Sequence, residues 1–507
     1  MSIVLTLAAT AHFACIVFLL FFERGDEGRR WAWLMALVFL PAVGFILYIL
    51  LSGRFFTKTK NLVKINRYYK GIKESVTKEQ LEYLDINHYD LPKPVLKDYS
   101  SLVSLNLVES VAPLTYADSV KTYCWGQDMF ADMFSEIQQA TDSVYVETFI
   151  IHNDKTGKKL MELLCQKAKE GLEVKLLYDD AGSISTPKGF FYQLDMAGGE
   201  TQPFFPVKWK LPLSVNFRNH RKITVIDNKI AYMGGINIGD EYANCSENKR
   251  KPLWRDTHVR LTGECVLALR SVFYIDWFTT PTWKIQQKKL QDVSNYFAQD
   301  TSKLYPYQNN IDTIKTLEEK IFDNNSIPVQ VITAGPDDKF TSEIEDALIR
   351  MIMNAKKYVY IQTPYFTPDV QFYNALKIAV FSGVDVRIMV PKCWDKFYVK
   401  AAAFQNIREL LQCGIKFYHY KGFIHAKTLV SDDKVSTIGS TNIDTRSFDL
   451  NFEINSVFYD EKLAVSHKNI FLEDIKNSEV ASLQWFDSRF ILLRGIWGFF
   501  KLFSPIL

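Results

Sequence analysis

The chain has 507 residues, of which 48% are apolar and 23% are charged, with a formal net charge of +3. This length and composition predict a folded protein of two or more domains and exclude a disordered chain. The near-balanced charge identifies no partner. The seven cysteines form no CxxC pair and the eight histidines show no HExxH spacing, which argues against a disulfide scaffold and a zinc site. We therefore expect no metal.

Two apolar runs without Asp, Glu, Lys or Arg open the chain, at residues 2–22 and 31–51. Each is long enough to cross a hydrocarbon core of about 30 Å as a helix. They predict a transmembrane helical hairpin. A signal peptide for the first run and a buried core helix are the weaker alternatives. Pro41 is expected to kink the second helix.

The charges beside these runs predict their orientation. The connector at 23–30 holds three arginines, and residues 52–73 contain several basic residues and no acid. The positive-inside rule places the large C-terminal part in the cytoplasm. The basic run either contacts anionic headgroups or is a solvated stretch.

From about residue 116 the sequence repeats itself. ATDSVYVETFII (140–151) and EGLEVKLLYDD (170–180) correspond to AKKYVYIQTPYF (355–366) and SGVDVRIMVPK (382–392). Short β-branched or aromatic runs alternate with helical stretches, which predicts α/β units with a mostly parallel or mixed sheet. The predicted division is two transmembrane helices (1–55), a juxtamembrane connector (56–115), a first unit (116–300), a second unit (325–485) and a C-terminal interfacial or capping segment (486–507).

Each copy carries the pattern His-x-Lys-(x)4-Asp. The residues are His220, Lys222 and Asp227 in the first copy and His425, Lys427 and Asp432 in the second. On a strand, alternate side chains share a face, so each His–Lys pair is expected to face one phosphate. The two aspartates are expected in turns, as structural anchors.

Two imidazoles and two ammonium groups suit phosphodiester transfer without a metal. One histidine would form a phosphohistidine while the other transfers protons, and the lysines would hold the non-bridging oxygens. Further donors to these oxygens are expected from Asn237, Asn442 and Ser440, with Gly235 at the serine position of the first copy. A chance motif and a duplication with one dead site are the alternatives. Both copies keep all three motif residues, which favours one shared site.

The paired motifs, followed by GGIN (234–237) and GSTN (439–442), resemble the phospholipase D superfamily. The chain is more closely similar to its bacterial cardiolipin synthases, over nearly the whole length and including WRDTHVRLTG (254–263) and IQTPYFTPD (361–369). The resemblance implies two pseudo-symmetric α/β/α units with the site between them. It also implies a protein of the bacterial cell membrane.

The same resemblance implies residue roles. It makes the six motif residues catalytic, with His220 as nucleophile and His425 as general acid and base. Glu453 and Asp256 would orient these histidines, respectively. The implied reaction transfers a phosphatidyl group from one phosphatidylglycerol to another, giving cardiolipin and glycerol without a cofactor.

Three other functions stay open at this stage. They are a membrane-bound phospholipase D with water as acceptor, a phospholipase D-type nuclease and an inactive membrane scaffold. The small net charge and the predicted spans weigh against a nucleic-acid partner, and the intact motifs weigh against a scaffold. The sequence does not predict the oligomeric state.

Lipid substrates stay in the bilayer, so two segments are candidates to contact it. Residues 203–218 interleave aromatic and basic residues, which predicts an interfacial loop, with a packed proline-rich loop as the alternative. Residues 489–507 predict either an interfacial helix or a domain-capping helix.

Overall fold

The computed structural model of the chain describes residues 2–21, 27–51, 74, 76–84, 93–206, 217–246, 252–279, 323, 325–336 and 342–504. Its helices are, in chain order, α1 (Ser2–Phe21), α2 (Glu27–Phe39), α3 (Pro41–Leu51), α4 (Pro94–Asp98), α5 (Ser100–Val108), α6 (Gly126–Gln139), α7 (Lys155–Lys169), α8 (Lys188–Met196), α9 (Cys265–Thr279), α10 (Glu343–Asn354), α11 (Val370–Phe381), α12 (Phe397–Gln412), α13 (Thr445–Asp449), α14 (Glu461–Lys476), α15 (Leu483–Asp487) and α16 (Ile491–Leu502).

The strands are, in chain order, β1 (Leu114–Ala117), β2 (Ser119–Tyr123), β3 (Ser143–Thr148), β4 (Glu173–Asp179), β5 (Glu200–Phe204), β6 (Arg218–Asn219), β7 (Ile223–Ile226), β8 (Ile230–Gly234), β9 (Trp254–Arg255), β10 (His258–Thr262), β11 (Ile327–Ala334), β12 (Tyr358–Gln362), β13 (Phe366–Thr367), β14 (Asp385–Pro391), β15 (Lys416–Tyr420), β16 (Phe423–Ile424), β17 (Thr428–Ser431), β18 (Val435–Gly439), β19 (Ile443–Asp444), β20 (Asn451–Phe458) and β21 (Ser478–Val480).

Both N-terminal uncharged runs are helical. The first is α1, and the second is divided into α2 and α3, of 13 and 11 residues. The break falls at Pro41, because proline lacks a backbone N–H and its ring clashes with the preceding turn. Across the described residues, no helix is both long enough and apolar enough to cross a membrane. The predicted transmembrane hairpin is therefore not shown, and the basic run at 52–73 lies outside the described residues.

The first repeat forms a seven-stranded mixed sheet with the order β2-β10-β8-β7-β3-β4-β5. β3, β4 and β5 are parallel neighbours, and the other pairs are antiparallel. Alternate residues of each strand face opposite sides. Val144 and Val146 of β3 therefore pack among α6, α7 and α8 on one face, while Tyr145 packs against α9 on the other.

The second repeat forms the same arrangement within a larger sheet, with the order β1-β11-β20-β18-β17-β12-β14-β15-β21 and β6 attached to β20. β12, β14 and β15 are parallel, as β3, β4 and β5 are in the first. α10, α11 and α12 pack on one face, and α14 on the other. The predicted α/β fold with two repeated units is confirmed.

Two short parallel pairings join the units. β6 of the first unit pairs with β20 of the second, and β9 of the first pairs with β16 of the second. Apolar residues between the sheets, such as Leu269 of α9 and Ile454 of β20, form a core shared by both units. Because β6 and β16 immediately precede the two histidines, these pairings fix where the motifs meet.

The segment predicted to be an interfacial loop is described only at its ends. Phe204 and Phe217 are both buried, and the Phe204 ring packs 5.1 Å from that of Phe452 in the second unit. These two aromatics therefore do not face lipid, and the second unit covers Phe204 through this ring contact. Residues 207–216 lie outside the described part of the chain.

Candidate active site

The two histidines follow the strands that cross between the units. We expected one continuous strand through each motif, but β7 begins only at Ile223 and β17 at Thr428. The His–Lys segments are irregular links, because the chain leaves the pairing with one sheet before it enters the other. The backbone N–H of His220 donates to the Phe452 carbonyl at 2.9 Å, and that of His425 donates to the Arg255 carbonyl at 2.7 Å.

Each histidine contacts a carboxylate of the other unit. Nδ1 of His220 lies 3.1 Å from Oε2 of Glu453 and 3.1 Å from the Ser440 carbonyl oxygen. Nδ1 of His425 lies 2.7 Å from Oδ2 of Asp256. All of these side chains are buried. The structure thus brings together the two His–carboxylate pairs that the family resemblance implied.

The two carboxylates stay ionised despite their burial. Burial alone would raise the pKa of Glu453, but His220, Lys222 and the Ser440 hydroxyl outweigh it and lower the pKa. Asp256 is affected in the same way, by His425 and Lys427. An ionised carboxylate only accepts hydrogen bonds, so each histidine must donate from Nδ1. The lone pair of the neutral ring is then on Nε2.

Burial lowers the pKa of His220 to about 4, against the opposing charge of Glu453. It lowers the pKa of His425 to about 3, together with the charge of Lys427. Both rings are therefore neutral at pH 7 in the site without substrate. Aromatic side chains hold them, with Phe149 at 5.1 Å from the His220 ring and Trp254 at 4.9 Å from the His425 ring.

Each motif lysine is buried beside the histidine of its own motif. Nζ of Lys222 donates to the carbonyl oxygen of His220, and Nζ of Lys427 donates to that of His425, each at 2.5 Å. Burial lowers the pKa of Lys222 to about 7 and that of Lys427 to about 8. The charge of Lys427 also lowers the pKa of both Lys222 and His220. The two lysines and His220 thus lie in one electrostatic environment, and joint action of the four groups on one phosphate remains a prediction.

The motif aspartates lie in turns and bind backbone amides. Asp227 and Asp432 have positive φ angles of 51° and 55°. The Asp227 carboxylate accepts from the amides of Thr141, Asp142 and Ser143 at the start of β3. The Asp432 carboxylate accepts from three amides at 356–358, at the start of β12. This geometry anchors the strand beside each motif.

The predicted phosphate-binding amides and hydroxyl have partners within the protein. Asn237 accepts from the backbone N–H of Ile150 at 3.3 Å, and Asn442 donates to Ser447 at 3.2 Å. The Ser440 hydroxyl donates to Glu453. Since an amide carries two N–H groups, the second N–H of Asn442 is still a candidate phosphate donor. A direct role for Ser440 on phosphate remains a prediction.

Gly235 replaces this serine in the first copy for a steric reason. A Cβ at Gly235 would lie 2.1 Å from Oδ1 of Asp256. The second copy has Ser440 beside the longer Glu453, whose carboxylate accepts the serine hydroxyl. Each histidine thus contacts a carboxylate, but the surroundings of that carboxylate differ. Gly235 lies beside Asp256, and Ser440 lies beside Glu453.

We expect Gly235→Ala to displace Asp256 from His425 and to lower turnover by about 100-fold, the scale of a misplacement of about 1 Å. Turnover should be measured as product formed per enzyme from labelled lipid. Gly189→Ala on α8 is the matched control, because nothing lies within 4 Å of its added Cβ. Equal activity of the two variants would contradict the steric reason.

Several buried residues near the site were not predicted from the sequence. Asn219 donates to Oε1 of Glu147 at 2.5 Å, and the Arg221 guanidinium contacts Asp276 of α9. Burial, then the charge of Asp276, raises the pKa of Glu147 well above its usual range. The sequence did contain a signal for this cluster. Polar residues, Asn219 and Arg221, flank His220, whereas the apolar residues Ile424 and Ala426 flank His425 in the second copy.

The second copy has a related cluster with different chemistry. Gln362, at the position of Glu147, donates to Asp474 of α14 at 2.8 Å, and Asp474 binds Arg255 at 2.6 Å. His258 was also not predicted from the sequence as a residue of the site. Its ring is buried beside Asp256, and burial lowers its pKa to about 3.

Comparisons with known proteins first define the class of protein. The family described as "Cardiolipin synthase, PLD-like domain" matches residues 133–249 and 348–475, one stretch in each unit. The family described as "Phospholipase_D-nuclease N-terminal" matches residues 11–53. A crystal structure of phosphatidylserine synthase from Haemophilus influenzae is similar with a TM-score of 0.59 and 15% identity, over 82% of this chain and 100% of that one. At this identity the likeness supports the fold alone.

Relatives of similar length define the family. Cardiolipin synthase 2 of Staphylococcus epidermidis is 37% identical over 100% of this chain and 98% of its own length. Cardiolipin synthase of Listeria innocua is also 37% identical, with the same coverage of both chains. The chain therefore belongs to the cardiolipin synthase family of phospholipase D-like phosphatidyltransferases. The family to which the sequence was found similar, over nearly its whole length, is confirmed.

Proposed function

We propose that the chain joins two phosphatidylglycerol molecules into cardiolipin and releases glycerol. The observation that carries this proposal is the crossed pair of His–carboxylate contacts, each of which holds Nδ1 of one histidine on a carboxylate of the other unit and leaves Nε2 free to react. A site built this way suits a double displacement on one phosphate.

In the first step, Nε2 of His220 attacks phosphorus and the P–O bond to glycerol breaks. His425 gives its Nε2 proton to the departing glycerol oxygen. Glu453 stabilises the positive charge on His220, while Lys222 and Lys427 stabilise the phosphate oxygens. In the second step, a hydroxyl of another phosphatidylglycerol attacks phosphorus, gives its proton to His425 and displaces His220. One P–O bond replaces another, so no nucleotide is consumed.

Binding of the substrate is expected to change the protonation state of His425. His425 is neutral without substrate, yet it must donate a proton in the first step. The negative phosphodiester favours the protonated ring once it lies beside His425. Substrate binding is therefore expected to be coupled to the uptake of one proton.

The dependence of kcat/KM on pH follows from these pKa values. We expect kcat/KM to fall as pH rises, because His425 must gain a proton, and to fall more steeply above pH about 7 to 8, where Lys222 and Lys427 lose theirs. A Lys222→Arg variant with measurable activity keeps its charge and should move the steep part to higher pH. An unchanged profile would remove Lys222 from this role.

We also propose that residues 2–51 anchor the chain in a bacterial cell membrane as two spans, with the catalytic units in the cytoplasm. The uncharged runs, the family match at 11–53 and the basic run at 52–73 support this placement. Cys245 and Cys393 are exposed and free. A membrane-impermeant maleimide should label them in inverted vesicles and not in right-side-out vesicles. Labelling only from the outer face would reverse the orientation.

The reaction itself is tested with the purified full-length chain and phosphatidylglycerol labelled in the glycerol headgroup. Cardiolipin and free glycerol in equal amounts are the expected products. Labelled glycerol and unlabelled phosphatidic acid, with little labelled cardiolipin, would make the chain a hydrolase with water as acceptor.

A further inference from the structure

The C-terminal helix α16 has one buried and one exposed apolar face. Its buried face is centred on Trp497, whose ring lies 5.4 Å from that of Phe404 on α12. The segment predicted as interfacial or capping thus caps the second unit with this face. The opposite face carries large apolar side chains that are open to solvent: Ile491, Leu492, Ile496, Phe499 and Leu502.

This exposed face is unusually apolar for a soluble surface. Leu492 is 68% exposed, Phe499 is 55% exposed and Ile496 is 49% exposed. Single exposed apolar residues are common, but a contiguous group along one helix marks an interaction surface. Gly495 and Gly498 lie on the same helix with nothing near the place of a Cβ, so the helix surface is open for close approach.

The charges at this helix are of one sign. Residues 488–507 contain Arg489, Arg494 and Lys501 and no acid. Arg494 lies 3.8 Å from Asp487, and Lys501 contacts Glu409 of α12. The cations therefore lie along the border between the exposed apolar face and the protein. An apolar helix face bordered by basic side chains is typical of helices that lie in the interface of an anionic bilayer.

α16 is also tied to the candidate active site. At its end, the Ser504 carbonyl oxygen accepts a hydrogen bond at 2.7 Å from Thr445, three residues after Asn442. The exposed surface continues to Phe397 at the start of α12, which is 73% exposed and packs 5.7 Å from the Phe500 ring. Asp395, two residues earlier, accepts a hydrogen bond from the Tyr365 hydroxyl at 2.6 Å, and Thr363 in the same segment accepts one from the backbone N–H of Ile443, the residue after Asn442. The apolar surface thus leads to the rim of the site.

We propose that α16 lies in the interface of the bilayer that holds the substrate, with its exposed face among the acyl chains. This placement rests on the proposed function and deepens it, because it presents the rim of the site to the membrane. A lipid headgroup then reaches Lys222 and Lys427 while its acyl chains stay in the bilayer. The N-terminal segment would tether the chain, whereas α16 would set the orientation of the site.

The first test asks what covers Phe499. The full-length chain with benzoylphenylalanine in place of Phe499 is reconstituted in vesicles of phosphatidylglycerol and phosphatidylethanolamine and irradiated. Cross-linking to labelled lipid is expected. The same probe in place of Tyr192, an exposed aromatic residue on α8, should label lipid far less. Cross-links to a second copy or to the N-terminal helices, or equal lipid labelling at both positions, would overturn the proposal.

The second test separates orientation from catalysis. In a variant with Leu492→Ser, Ile496→Ser and Phe499→Ser, turnover of long-chain phosphatidylglycerol in vesicles should fall by about 10-fold or more. Turnover of dihexanoyl phosphatidylglycerol, supplied as dissolved monomers, should stay unchanged. A variant with Ile184→Ser, Tyr192→Ser and Met196→Ser, which removes exposed apolar side chains of the first unit, should retain both activities.

Other outcomes of the second test would contradict either the placement of α16 or the proposed function. Unchanged vesicle activity of the α16 variant would overturn the proposal, and so would an equal loss with both substrates, since that would mean the helix only supports the fold. If the unmodified chain forms no cardiolipin from either substrate, the proposed function itself is wrong.

Discussion

Replacing His220 by alanine is expected to lower cardiolipin formation by a factor of about 10⁴ to 10⁶, the usual cost of removing a catalytic nucleophile. His425→Ala should cause a large loss as well, because the departing glycerol then receives no proton. Total activity therefore does not separate the two roles. The two roles can be separated with a phosphatidyl donor whose leaving group needs no proton.

Phosphatidyl-p-nitrophenol is such a donor, because nitrophenolate leaves as an anion at neutral pH. With His425→Ala we expect a burst of one nitrophenolate per site, with the labelled phosphatidyl group bound to His220 after alkaline quenching. With His220→Ala we expect no burst and no labelled protein. The two variants are matched controls, since each removes one buried imidazole of a crossed pair. A burst from His220→Ala would assign the nucleophile to His425.

The second large effect concerns stability. Arg221→Ala is expected to lower the free energy of unfolding by about 3–5 kcal/mol, because removing one partner of a buried ion pair leaves the other uncompensated. The Arg221 guanidinium is buried, contacts Asp276 and donates to the carbonyl oxygens of Glu453 at 3.0 Å and Ala334 at 3.2 Å. Its loss would leave the Asp276 carboxylate next to Glu147 without that counter-charge.

The measurement is the urea midpoint of the full chain in detergent, followed by tryptophan fluorescence. Arg260→Ala is the matched control, since Arg260 is also in the first unit and binds Glu136 at 2.7 Å, but both side chains are about one-fifth exposed. We expect Arg260→Ala to lower the free energy of unfolding by no more than about 1 kcal/mol. Similar midpoints for the two variants would show that the Arg221 cluster contributes little stability.

The sequence predicted the repeat and the α/β units, and it identified the four groups that we propose act on phosphate, because each depends on local patterns. Alternation of apolar residues identifies the strands, and spacing identifies the His–Lys pairs. Asp227 and Asp432 were rightly expected in turns, since their positions follow the β7 and β17 strands directly.

The remaining features depend on contacts between distant segments. Arg221 meets Asp276, 55 residues later, only because α9 packs behind β7. The break of the motif strand at residues 220–222 follows from the crossing between the units, which no local pattern encodes. Gly235 looked like a departure from the serine of the second copy, and its reason became visible only with the Asp256 carboxylate in place.

The crossed pairing of β6 with β20 and of β9 with β16 has a consequence for divergence. A site assembled from two identical subunits has two identical histidine environments, because a two-fold axis repeats every residue. Here both halves belong to one polypeptide, so each half can accept substitutions that the other does not share. Asn219 and Arg221 flank one histidine, and Ile424 and Ala426 flank the other. Covalent fusion of the halves thus permits one imidazole to specialise in bond formation and the other in proton transfer.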